Sequence, residues 1–117
     1  MSKQIITEFP DRETFKQFIS NYNGVVIVKF GAQWCGPCNY IKPLVRDLYN
    51  KMPENVILAD IDIDENEDVY AYSKIKTIPT MVSYVNGDKM DINNTSNSDD
   101  IIAFFNKCEG HATFSEI

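Results

Sequence analysis

The chain has 117 residues, 17 of them acidic and 11 basic, for a net charge of −6; such an acidic surface argues against nucleic acid and anionic membrane as partners, because like charge repels. Hydrophobic residues at 44% exclude global disorder, and this length suits one compact domain spanning 1–117 with its own core. The apolar run Val25 to Val28 is stopped by Lys29, and no purely apolar run exceeds the five residues of Ile101 to Phe105, far short of the ~20 residues a membrane-spanning helix needs.

The opening Met1 to Glu8 has an early charge and no apolar core, so no secretory leader is expected and a cytoplasmic location is. Lys3 to Phe9 reads as a short strand. Phe15, Phe18, Ile19 and Tyr22 fall at i, i+3, i+4, i+7 and predict a helix over 11–21, with Asp11 and Glu13 favouring its positive end. Asn23-Gly24 breaks it. The run Val25 to Phe30 then reads as a strand buried on both faces. A second helix carries Ile41, Leu44, Val45, Leu48 and Met52 on one side, with Pro43 inside it as a source of bending. Val56 to Ile63 is a further strand, where Asp60, Asp62 and Asp64 alternate with Ile61 and Ile63. A short helix over 65–74 follows, then a strand from Thr80 to Val85. Asn86-Gly87 is a strong hairpin signal leading into Lys89 to Ile92. Ser98 can cap a last helix bearing Ile101, Phe104, Phe105 and Cys108, and Glu109 to Ile117 reads as a flexible, fraying tail. This order predicts an α/β sandwich: a parallel portion built by crossovers, with an antiparallel edge supplied by the hairpin. Asn93-Asn94-Thr95 and Asn94-Thr95-Ser96 match the glycosylation pattern but carry no meaning without secretion.

Three cysteines are too few and too oddly numbered for a secreted disulfide scaffold; in a reducing compartment a close pair points to catalysis or metal binding. Trp34-Cys35-Gly36-Pro37-Cys38 lies between the buried strand and the second helix. Cys35 is thus expected at the helix N-terminus, where free N–H groups and the dipole favour its thiolate, the nucleophile of disulfide exchange. Cys38, one turn on, is within bonding reach as the resolving thiol, and Pro37 suits an early helical position. A metal reading competes, because Cys108-Glu109-Gly110-His111 supplies C-x-x-H and four ligands could hold zinc. Against it, 69 residues separate Cys38 from Cys108, and Cys108 falls on an apolar helix face. No metal site is expected: Cys108 reads as a core thiol and His111 as a solvated tail residue.

Phe30 to Cys38, Pro43 within the following helix, Thr77-Ile78-Pro79-Thr80 and Asn86-Gly87 together resemble the thioredoxin family. The resemblance covers roughly residues 3–108, and Pro79 stands 44 positions after Cys35. It implies the thioredoxin fold, a central mixed sheet of about five strands flanked by about four helices. By the same resemblance Cys35 is the nucleophile and Cys38 its partner in a protein-disulfide reductase, with Gly36 and Pro37 between them favouring reduction. Pro79 would be cis and pack beside the sulfurs, Ile78 would pair with a substrate strand, and Trp34, Thr77, Ile78 and Pro79 would contact the substrate. No bound cofactor is implied; electrons would come from NADPH through a thioredoxin reductase, and the partners would be that reductase and disulfide-containing proteins, met by a monomer.

Three positions depart from the family pattern. Lys29 stands six residues before Cys35, where the family usually carries a buried aspartate, and Asp60 stands where relatives often have a lysine. A reversed Lys29–Asp60 ion pair beneath the cysteines is one reading, with the cation favouring a thiolate or either group accepting a proton; an amine snorkelling to water with no catalytic part is the other. Gly31 replaces a residue that is often larger, which should open the floor near the motif. The stretch Asn93 to Asn97 lacks the glycine that often borders the substrate groove, with Thr95 roughly in its place. Two other functions stay open: a more oxidising disulfide oxidase or isomerase, suggested by Lys29, and a non-catalytic binding subunit of the same fold.

Overall fold

The computed structural model describes residues 3–115. Five strands form one sheet in the order β1-β3-β2-β4-β5: β1 is Ile5–Ile6, β2 Val25–Gly31, β3 Val56–Asp62, β4 Thr80–Val85 and β5 Asp88–Asn93. Four helices accompany it: α1 Arg12–Asn21, α2 Gly36–Asn50, α3 Glu67–Ser73 and α4 Ser98–Ser115. Strands β1, β3 and β2 run parallel, while β4 and β5 are antiparallel to their neighbours. The crossover helices and the closing hairpin thus build the mixed sheet expected from the element order.

β2 occupies the centre, and all seven of its residues are buried. Its pleat sends Val25 and Ile27 to a core shared with Ile41, Val45 and Tyr49 of α2 and Ile101, Phe105 and Cys108 of α4. Val26, Val28 and Phe30 meet Phe15 and Ile19 of α1 and Val69 of α3 on the other face. The period of two therefore assigns Lys29 and Gly31 to the α2 side. This assignment sets up the site described below.

Local signals fix the ends of the elements. Asp11 is the N-cap of α1, its side chain accepting from Thr14 N–H at 2.8 Å, and that backbone hydrogen bond holds its carboxyl below the usual range. Asn86 and Gly87 have φ of 49° and 91°, the pair of positive values that a two-residue hairpin turn needs. Gly24 has φ of 143°; its N–H donates to Asn86 Oδ1 at 2.9 Å and its carbonyl accepts from Asn86 N–H at 2.8 Å. This exchange pins the hairpin tip to the start of β2.

Three expectations need correction. The opening strand is limited to Ile5–Ile6, because beyond it the chain leaves the sheet for Asn66, whose side chain accepts from Phe9 N–H and donates to the Thr7 carbonyl. Asn97, not Ser98, caps α4, its Oδ1 accepting from Asp100 N–H at 3.1 Å. The tail expected to fray from Glu109 is helix through Ser115: Ala112 is fully buried, and the Ala112 carbonyl accepts from Asn55 Nδ2. Residues 116–117 lie outside the described residues.

Candidate active site

Cys35 is the N-cap of α2, with extended φ and ψ, and Cys38 sits in the first turn. The two are joined by a disulfide, their Cα atoms 5.3 Å apart. Cys35 Sγ accepts from Cys38 N–H at 3.2 Å, so the sulfur lies where the unpaired amides of the helix start converge. Pro37 occupies the early helical position, where the missing N–H costs nothing. α2 runs on through Pro43 to Asn50. A Cβ added at Gly36 would meet nothing within 4 Å, so packing does not demand glycine there. Trp34, 69% exposed, stands next to Cys35 with its indole N–H donating to Asp64 Oδ2 at 2.8 Å. Asp62 in turn accepts from the Gln33 and Asp64 N–H groups.

The Ile78–Pro79 peptide is cis, as the resemblance implied. Pro79 is buried, and Ile78 packs on the cluster of Ala32, Cys35 and Cys38. Ile78 precedes Thr80, where pairing with β2 begins, so its backbone lies outside the ladder. Thr77 is exposed, and its carbonyl accepts from the Thr80 hydroxyl at 2.7 Å. Trp34, Ile78 and the disulfide are thus brought together. Thr95 bonds to Asn93 Oδ1 and Asp100 Oδ2, which ties the hairpin exit to the start of α4.

Beneath the cysteines, Lys29 is 4% exposed and its Nζ meets Asp60 Oδ1 at 3.3 Å. The reversed ion pair exists. Arg46 of α2 joins it from the other side, its Nη2 at 3.1 Å from Asp60 Oδ2. All three line a cavity of about 310 Å³ that also reaches Cys38 and Gly31. A Cβ added at Gly31 would stand 3.3 Å from Cys38 Sγ and 3.6 Å from Lys29 Nζ, so the glycine leaves open the space those two groups border.

Cys108 is elsewhere, fully buried in the core between the sheet and α4, and burial pushes its thiol up to about 12. It is an inert core thiol. His111 departs from its expected place in a solvated tail: its Nε2 lies 3.0 Å from Asp91 Oδ2, because α4 continues far enough to bring it over β5. Among the described residues no group of three or more His, Cys, Asp or Glu is placed to hold a metal. Sequence reasoning missed Arg46, Asp64, Asn66 and Tyr40. Tyr40 is 74% exposed on the outer side of α2, two residues after Cys38, and its signal was an aromatic lying off the Ile41, Val45 and Leu48 stripe.

The family model described as Thioredoxin matches residues 6–107. The chain is 33% identical to a thioredoxin of Ovis aries over 107 residues, 92% of this chain and 98% of the relative. It is 32% identical over 101 residues to a mitochondrial thioredoxin of Mus musculus, of which it spans 61%. The solved structure of Plasmodium falciparum thioredoxin superposes with a TM-score of 0.76 at 30% identity, covering 90% of this chain and 98% of that one.

Proposed function

The chain belongs to the thioredoxin family, and on that premise we propose that it is a cytoplasmic, monomeric protein-disulfide reductase recharged from NADPH by a thioredoxin reductase. Family membership makes it a thiol–disulfide oxidoreductase with the thioredoxin fold, acting on disulfide-containing proteins. The observation that carries the residue assignment is the disulfide between an N-cap cysteine and a first-turn cysteine, beside an exposed tryptophan.

In the reduced protein, Cys35 Sγ sits among the first amides of α2, which favour its thiolate over its thiol. That thiolate attacks one sulfur of a partner disulfide; the other partner sulfur leaves as a thiolate. Cys38 then attacks Cys35 Sγ, the second partner thiolate departs, and the bond between Cys35 and Cys38 remains. Two electrons have passed to the partner. Trp34, Ile78 and Pro79 form the surface against which the partner strand docks, with Thr77 at its edge.

Insulin reduction coupled to NADPH and a thioredoxin reductase tests this. The native chain is expected to turn over, Cys35→Ser to be inactive, and Cys38→Ser to accumulate a mixed disulfide. Turnover by Cys35→Ser would overturn the assignment. The cytoplasmic reading is supported by cysteine usage, one reactive pair plus one sealed thiol, which suits a reducing compartment; recovery of the native chain in a mitochondrial fraction would refute it. The monomeric reading is supported by the net charge of −6, and gel filtration at twice the chain mass would refute that. All five described strands share one sheet, which supports the single-domain reading.

A further inference from the structure

The disulfide cycle above makes no use of the charges behind Cys38. One carboxylate there serves two cations: Asp60 Oδ1 faces Lys29 and Oδ2 faces Arg46. Arg46 Nε is buried with no hydrogen-bond partner among the described residues, so the guanidinium is only partly satisfied. The inner cluster therefore holds one positive charge in excess. The remaining charged groups lining the cavity are Glu8 after β1, Asp62 and Glu65 at and after the end of β3, and Lys42 on α2. Glu8, Lys42 and Glu65 are exposed, where water screens them. Asp62 is half-buried and remains an anion, its oxygens accepting from the neutral Gln33 and Asp64 amides. Lys29 Nζ and Cys38 Sγ border the same space, the one that Gly31 leaves open, which makes Lys29 the charge shown beside Cys38.

We propose that Lys29 and Arg46 are positioning residues for the resolving step, holding net positive charge beneath Cys38 so that its thiolate is favoured. In this arrangement Asp60 serves as the shared counter-ion of the two cations, one facing each oxygen, and not as the proton acceptor. The Cys38 proton passes to cavity water. Its thiolate forms the bond to Cys35 Sγ, the Cys35–partner bond breaks, and the partner leaves as a thiolate that water protonates. This rests on the reading of Cys38 as the resolving thiol, and inverts the acid–base pattern expected from the family resemblance.

The test reads alkylation of Cys38 by iodoacetamide against pH in a Cys35→Ser chain, which needs no turnover. Adding Lys29→Met is expected to move the half-point up by about one pH unit, slowing the reaction about tenfold at neutral pH, and Lys29→Arg to restore it. Arg46→Met, on a half-exposed helix position, is expected to move it less in the same direction and decides the matter should Lys29→Met not fold. Asp60→Asn is expected to leave the half-point in place or lower it. A rise in Asp60→Asn would contradict the sign of the charge effect on Cys38 and overturn the proposal. So would an unmoved half-point in Arg46→Met and in any folded Lys29→Met. Failure of the native chain to reduce insulin, with these shifts intact, would instead sink the reductase reading alone.

Discussion

Around the disulfide, neighbouring side chains divide the labour by exposure. Cys35 and Cys38 are 5% and 2% exposed, so a partner reaches them through the surface that surrounds them. Trp34 supplies one aromatic there, fixed by Asp64. Tyr40 supplies a second, exposed five residues beyond Cys35 on α2. Covering such a ring contributes about 1 kcal/mol, so Tyr40→Ala is expected to raise KM for a protein disulfide by about fivefold while kcat holds. Steady-state insulin reduction measures this, and an unchanged KM would place Tyr40 outside the docking surface. The third sulfur has the opposite design: Cys108 is sealed against Ser83 and the aromatic core.

The elements show which kinds of information a sequence carries. The β2 run, the α1 stripe, the Asn-Gly turn and the C-x-x-C at a strand–helix junction are local patterns, and each reappears in place. Arg46 and Asn66 could not be read this way, because their partners, Asp60 on β3 and the backbone at Thr7 and Phe9, are defined only by folding. The end of α4 misled for the same reason: Gly110 and polar neighbours suggest fraying, whereas buried Ala112 and the His111–Asp91 contact hold it through nonlocal packing. Lys29 was legible as an oddity, since a charge in an apolar run demands a partner, and the pleat supplied Asp60. The junction of α1 and β2 is a constrained turn. At Gly24, φ is 143° and an added Cβ would run into the Asn55 carbonyl oxygen. Gly24→Ala should therefore cost about 1–3 kcal/mol, seen as a lower urea midpoint; an unchanged midpoint would show that the turn relaxes freely.

Across the whole molecule, burial of acidic protons governs the alkaline limb of stability. The Cys108 thiol is pushed up to about 12 by burial, and burial also raises the phenols of Tyr49, Tyr84 and Tyr22. Each group keeps its proton longer folded than unfolded, so its contribution is intact below the unfolded value and disappears as pH climbs through the folded one. Stability is expected to hold to about pH 9 and then fall towards pH 12, by up to about 1.4 kcal/mol per pH unit for each fully contributing group. Urea midpoints against pH measure it. Cys108→Ala should flatten the onset of the fall; an equally steep onset would remove Cys108 from the account.

The central seat of β2 has a last consequence. The reactive turn hangs from a strand flanked by neighbours on both sides along nearly its whole length, while the two-residue β1 and the outer β5 form the borders. Peripheral breathing can loosen either border without disturbing the sulfurs. Insertions, fusions and substitutions are accordingly best tolerated at those margins, away from the reactive sulfurs.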